Sequence, residues 1–301
     1  MKMKRITALP AALLAAALFL AACQNDSSIT NAPVTDDHTA GLQKGSDFEQ
    51  DNGSHDIIYA VTAANRLLKF SSHQPDKILW QERVTGLQFG EVLLGLDFRP
   101  ANGKLYAVSS NSRLYVIDRH TAAATPVGAQ PFSPVLEGTS FGFDFNPTVD
   151  RIRLISNTGQ NLRLHPDLGT VVAVDGRLAY AGGDRNAGRQ PAAVGAAYTN
   201  PDNDPATGTT LYDLDAATDV LTIQNPPNNG VLNTIAPLDR NINLLTGFDI
   251  GPSGSAYAVL FDRSSRGNAK LVRVDLATGR LHTLGRIDKR LPITAMAVQV
   301  P

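Results

Sequence analysis

From residue 57 to residue 300 the chain alternates apolar and polar positions in short runs, with no sustained helical period. Such alternation places successive side chains on opposite faces of a strand. Clusters of Gly, Pro, Asn, Asp and Thr interrupt the runs every eight to twelve positions, the signature of an all-β chain. The runs align as a repeating unit of four strands. One copy reads LLGLDF, KLYAVSS, RLYVID and ATPVG, and the next reads FGFDF, RIRLIS, NLRLHP and TVVAV. A further copy reads VGAAY, TTLYDLD, DVLTIQ and VLNTIAPL, followed by TGFDI, SAYAVL, KLVRVD and RLHTLG.

Equivalent first strands start at Gly95, Gly142, Gly195, Gly247 and Ala295, with separations of 47, 53, 52 and 48 residues. A four-strand repeat of this period predicts a β-propeller, one blade per repeat. The two ends complete the count. IIYAVT, NRLLKF and ILWQERV, from residue 57, match strands two to four of a blade, and ITAMAVQV at 293–300 matches a missing first strand. Joined, they make a blade from both termini and leave the ring without a free edge. Five four-stranded antiparallel blades over residues 56–301 are therefore expected. A six-bladed ring is the alternative, and it requires the 176–192 stretch to contain further strands. A proline follows each first strand, at Pro100, Pro147, Pro201, Pro252 and Pro301, and ends it because proline cannot continue a sheet ladder.

The first 22 residues have a different character. Lys2, Lys4 and Arg5 precede a short Ala/Leu/Phe run, as in a secretion signal. The run ends in Leu20-Ala21-Ala22-Cys23, which resembles the bacterial lipobox; that resemblance implies cleavage before Cys23 and acylation of it. Gln24 rather than Asp follows, which by resemblance to Gram-negative sorting signals points to the outer membrane. Several acyl chains make such an anchor stable, where one would be marginal. Cys23 is the only cysteine, so no internal disulfide is expected. Residues 24–55 are polar and poor in large apolar side chains, and so read as a tether spanning roughly 30 Å. Loss of the signal removes three positive charges, which shifts the net charge from −1 to about −4. Nothing in that balance suggests nucleic acid as a partner.

Residues 57–300 resemble the bacterial proteins grouped as domain-of-unknown-function family 4394. The resemblance is carried by FGFDFNPTVDRIRLISNTGQNLRLHPD at 141–167, AAYTN at 196–200 and NPPNNGVLNTI at 225–235. It implies a secreted or surface propeller and supplies no catalytic residues.

Asp97, Asp144 and Asp249 occupy one place in three first strands, on the side opposite their apolar neighbours. First strands line the channel, so the three are candidates for carboxylate chemistry, by resemblance to five-bladed glycoside hydrolases. A structural role competes with this. The residues obey the repeat symmetry that an active site breaks, and Ala197 and Ala297 replace them in the other two copies. A buried strand aspartate can instead pin the blade by accepting backbone N–H bonds.

The second-to-third and fourth-to-first connections leave one end of the blades, here expected to point away from the membrane. They hold the candidate ligand-binding residues Asn157, Gln160, Asn161, Asp184, Arg185, Arg189, Asp239, Arg240, Asp262 and Arg263, with a further acid–base run at Asp288-Lys289-Arg290. Guanidinium forks beside amides suit sugar hydroxyls, carboxylates or a peptide, although internal ion pairs on a solvated surface explain the same pattern. Asp202-Asn203-Asp204 resembles a calcium loop but lacks the spaced ligands and terminal Glu of an EF-hand. Turn chemistry accounts for it, and no cofactor is expected. The six histidines show no HExxH spacing, and no Gly-x-Ser-x-Gly elbow or Walker loop occurs. Arg151, Arg153 and Arg163 alternate with apolar residues along the third unit, where inter-blade pairing and ligand contact are equally good explanations. The expected function is an envelope-anchored, non-enzymatic binding or scaffolding propeller. The alternative is a hydrolase of glycans or lactones using the channel aspartates, with or without a divalent cation.

Overall fold

The computed structural model describes residues 55–202, 204–242, 245–262, 268–287 and 292–301. The signal segment, Cys23, the tether up to residue 54, Asn203, Arg263 and the run 288–290 lie outside the described residues.

Each predicted unit forms one antiparallel sheet. The first blade begins with β1 (Ile57–Thr62), β2 (Arg66–Ser71) and β3 (Gln74–Arg83). The second is β4 (Leu93–Arg99), β5 (Lys104–Ser109), β6 (Leu114–Ile117) and β7 (Ala124–Val127). The third is β8 (Phe141–Asn146), β9 (Arg151–Ser156), β10 (Asn161–Leu164) and β11 (Val171–Val174). A two-residue strand, β12 (Ala179–Tyr180), precedes the fourth blade, β13 (Ala193–Tyr198), β14 (Leu211–Asp215), β15 (Val220–Gln224) and β16 (Val231–Pro237). The fifth is β17 (Leu245–Ile250), β18 (Ala256–Asp262), β19 (Asn268–Val274) and β20 (Leu281–Arg286), and the last strand is β21 (Ile293–Val298). β21 returns to the first blade as its inner strand and pairs antiparallel with β1, Tyr59 opposite Ala297 and Ala60 opposite Met296. The protein is a five-bladed β-propeller closed by its C-terminal strand.

The six-bladed alternative is overturned by the 176–192 segment. Its only strand, β12, lies parallel to the outer edge of the fourth blade, with Ala179 opposite Val231 and Tyr180 opposite Leu232. It widens one blade instead of starting another.

The inner strands β21, β4, β8, β13 and β17 pack side by side around one axis. Their residues are buried on both faces, because each blade is covered by a neighbour on either side. The glycines at the start of these strands allow that approach. A Cβ on Gly142 would lie 2.6 Å from the backbone nitrogen of Ala196, and one on Gly95 2.6 Å from the Phe143 Cβ. The cavity at this level of the axis measures about 10 Å³, room for one water at most.

The core is divided into five apolar clusters, one in each seam between consecutive blades. Each large side chain so buried contributes roughly 1.5–3 kcal/mol relative to exposure. Four seams draw on apolar residues from both blades. In the seam between blades three and four, blade three contributes Ile155 alone, and the remaining cluster members come from β12, its preceding segment and blade four. A polar network occupies the space that apolar side chains fill elsewhere.

Candidate functional site

The three repeated aspartates meet at the axis. Asp97 on β4, Asp144 on β8 and Asp249 on β17 are 6%, 3% and 5% exposed, and one carboxylate oxygen of each lies within 4.8 Å of the others. The remaining geometry explains their pattern. Asp97 accepts the backbone N–H of Phe98 at 2.6 Å and that of Phe145, in the next blade, at 2.7 Å. Asp144 accepts the N–H of Tyr198, again one blade on, at 3.1 Å. Asp249 accepts Ile250 N–H at 2.6 Å and Val298 N–H, across the closure seam, at 2.6 Å. These five amides hold one equivalent position in the five inner strands, so three carboxylates satisfy the whole ring. Blades one and four manage with Ala297 and Ala197 because Asp249 and Asp144 reach across to Val298 and Tyr198.

Five of the six carboxylate oxygens are thereby spent on amides. The sixth, on Asp144, is left to the other carboxyls of the trio, and the side-chain contact between Asp144 and Asp249 raises the Asp144 carboxyl and lowers that of Asp249. Burial, then the charges of Asp97 and Asp249, push the Asp144 carboxyl well above its ordinary range. Burial and the Asp249 charge do the same to Asp97. Asp249 is raised by burial to about 6, its rise restrained by the two amides and by the bond from Asp144.

The residues predicted on the connections do not converge on one place. Asn157 accepts the N–H groups of Thr139 and Ser140, and Gln160 bridges Glu137 N–H and the Val135 carbonyl, so both pin the 135–140 connection. Asp184 accepts Thr234 N–H at 2.6 Å and the Thr234 hydroxyl, and Arg185 donates to the Ile235 carbonyl, so these hold the 181–192 segment against β16. Arg189 is exposed on the same segment. Arg240 donates to Thr283 and to the Leu281 carbonyl and pairs with Asp239, which fastens that connection to β20. Asp262 ends β18. Asp202 and Asp204 are exposed and accept bonds within their own turn, Asp202 from Asp204 N–H and Thr207 Oγ1, Asp204 from Ala206 N–H.

Asn161 belongs to a different assembly, the polar seam between blades three and four. Arg153, on β9 and 2% exposed, donates to Asn161 Oδ1 at 2.7 Å, Asp175 at 2.6 Å, Asn228 Oδ1 at 2.8 Å and Tyr198 Oη at 3.4 Å. Asp175 is also gripped by both arms of Arg163. One carboxylate thus answers two guanidiniums. Beneath them Asp213 is fully buried with neither carboxylate oxygen hydrogen-bonded, and burial holds its carboxyl well above the ordinary range against the pull of Arg153. The seam between blades two and three uses the same device with a different balance. There Arg99 faces two carboxylates, Asp150 and Asp167, from the turns of blade three. In blade four the turn equivalent to that of Asp167 offers the amide of Asn228.

The model of a protein family described as Domain of unknown function (DUF4394) matches residues 66–297. The chain belongs to this DUF4394 family. No curated protein matches it. Among solved structures, it is similar to a protein of unknown function from Bacteroides caccae at 12% identity and TM-score 0.49, covering 82% of this chain and 100% of that one. It is similar to a second, from Bacteroides thetaiotaomicron VPI-5482, at 14% identity and TM-score 0.47, covering 77% and 58%. A chain of a nidogen/laminin complex matches at 13% identity and TM-score 0.46, covering 82% and 99%.

The three segments that carry the DUF4394 resemblance in this chain meet at Arg153. The first supplies Arg153, Asn161 and Arg163, the second Tyr198, and the third Asn228. Sequence reasoning picked out the arginine alternation but missed Asp175, Tyr198 and Asn228 as its partners and the buried Asp213 near them. Only the departure of these segments from the repeat marks them, since their spacing along the chain carries no motif.

Proposed function

We propose that this DUF4394 propeller is an envelope-anchored, non-enzymatic binding module, held through an acylated Cys23 and a polar tether of residues 24–55. The observation that supports this reading is the fate of the channel carboxylates. Among the described residues they form the only cluster of three or more acidic, His or Cys side chains placed to share a ligand. Five of their six oxygens bind strand amides and the sixth faces another carboxyl of the trio. Acid–base hydrolysis needs one carboxylic acid and one free carboxylate beside a scissile bond, and this trio is committed to holding blades together. Binding on a rigid scaffold is then best served by side chains of the seams and connections.

The close approach of the three carboxyls and their raised pKa values favour a second reading, a glycan or lactone hydrolase using Asp97, Asp144 and Asp249 with a divalent cation. A thermal-shift screen of the full chain separates the two, run against calcium with a chelator control, envelope glycans, lactones and anionic sugars. A ligand at a hundred times its Kd adds about 2.7 kcal/mol of stability. The binding reading predicts such a shift from a glycan or anionic sugar with no product formed. A shift by calcium alone, together with product formation that Asp144→Asn abolishes, would instead establish the hydrolase. For the anchor, Cys23→Ser is expected to move the protein from the membrane fraction to the soluble fraction.

A further inference from the structure

Two adjoining cavities flank Tyr198 along the seam between blades three and four. One, of about 410 Å³, is lined by Arg151, Arg153, Arg163, Asn228 and Val172. The other, of about 550 Å³, is lined by Thr209, Thr210, Gln224 and Asn225. Asn146, Tyr198 and Pro227 line both, so the two form one groove. Each volume falls in the range of small-ligand sites.

The chemistry of the groove is polarised. At one end stand three guanidiniums. Asp175 is the carboxylate that answers Arg153 and Arg163 together, while Arg151 donates to a backbone carbonyl, that of its neighbour Asp150. The Asp150 and Asp167 carboxylates nearby are both turned to Arg99. Positive charge therefore exceeds negative charge at this end. Arg153 is fixed by four partners in a nearly water-free position, which suits it to receive an anion without reorganising. At the other end the groove is neutral and rich in hydroxyls and amides. Gln224 there is 1% exposed and uses its Nε2 on the Pro227 carbonyl at 2.6 Å, but its Oε1 has no hydrogen-bond partner. A buried amide oxygen left unpaired costs about 1–3 kcal/mol, and a ligand hydroxyl would supply the missing donor. Tyr198 and Pro227 line both cavities between the two ends, and the half-buried pyrrolidine of Pro227 provides apolar surface.

We infer that this groove binds a carboxylated saccharide, its carboxylate at Arg151 and Arg153 and a hydroxyl donated to Gln224 Oε1. The inference deepens the binding-module reading and rests on it. Only a ligand with an anionic group, several hydroxyls and a flat apolar ring face matches all three parts of the groove. A neutral sugar leaves the guanidiniums unanswered, and a simple anion leaves Gln224 unpaired.

The test is calorimetric titration of the full chain with trigalacturonate, with maltotriose as the neutral saccharide and citrate as the non-saccharide anion. Trigalacturonate is expected to bind, more weakly as salt is raised, with maltotriose and citrate each at least about tenfold weaker. Arg151→Ala and Gln224→Met are each expected to raise Kd about tenfold or more. Arg119→Ala, in a separate cavity of about 540 Å³ on blade two, should leave Kd unchanged. Melting curves of each variant guard against loss of fold. Absence of trigalacturonate binding at millimolar concentration overturns the inference, as does equal binding of maltotriose or indifference to both groove substitutions. If another ligand of the broader screen binds while trigalacturonate does not, the groove assignment fails and the binding-module reading stands. If trigalacturonate binds in the groove and is also cleaved, the groove stands and the non-enzymatic reading fails.

Discussion

Carboxyl oxygens at the axis are not equivalent, and the difference sets what each aspartate tolerates. Asp144 accepts one amide and meets Asp249 with its carboxyl held well above the ordinary range, and asparagine can accept the same amide and donate to Asp249. Asp97 and Asp249 each accept two amides, so an asparagine there must turn an NH₂ group against an N–H. Asp144→Asn is therefore expected to keep its unfolding free energy in urea at pH 7 to within about 0.5 kcal/mol, whereas Asp97→Asn and Asp249→Asn lose about 1–3 kcal/mol each. The same trio gives a pH signature. Native pKa values above the unfolded value mean that the folded state holds protons more tightly. The stabilisation is full below the unfolded carboxylate value and is lost as pH rises through the native values, about 6 for Asp249 and likewise raised for Asp97 and Asp144. Chemical denaturation between pH 4 and 8 should show that decline, shallower in Asp144→Asn. The repeat made the aspartates legible in the sequence, and strand alternation put them together. Their division of labour was not legible, because it depends on which amide of a neighbouring blade each oxygen reaches, a distance of 48 to 54 residues along the chain.

At the level of strands the reading was almost complete, since period-two alternation, a glycine at the start and a proline after the end all act locally. Pro100 and Pro147 directly follow β4 and β8. The glycine has a reason the sequence could not show, the contact with the next inner strand. Gly142→Ala would drive a methyl group into the backbone of β13, and a thermal melt should record a loss of about 1–3 kcal/mol. Gly182→Ala, with nothing within 4 Å of the added carbon, is expected to stay within about 0.5 kcal/mol. What escaped the sequence was β12. Two residues offer no periodicity, and Ala179–Tyr180 become a strand only because β16 presents an open edge to them. The seam network was hidden for a related reason. Its members come from β9, β10, the segment after β11, β13, β14 and the turn after β15, and only the ring brings these together.

For the molecule as a whole, ring closure joins residues more than 230 positions apart, Ala60 with Met296 and Val61 with Ala295. Four blades are built from contiguous sequence, and the first is not. Until β21 arrives, β1 presents an uncovered edge, Val298 N–H is absent from Asp249, and two apolar seams lack their inner wall. Removing residues 293–301 should therefore abolish the cooperative melt instead of merely lowering its midpoint, as calorimetry would show. The requirement also has a temporal side. Long-range pairings of this kind form slowly, and this one needs the last segment to be synthesised. A nascent chain carrying four finished blades still has two incomplete seams, with sticky edges that would pair with any other incomplete copy. Strand β21 thus acts as a completeness check: only a chain translated through it can hide its own edges and leave the company of its siblings.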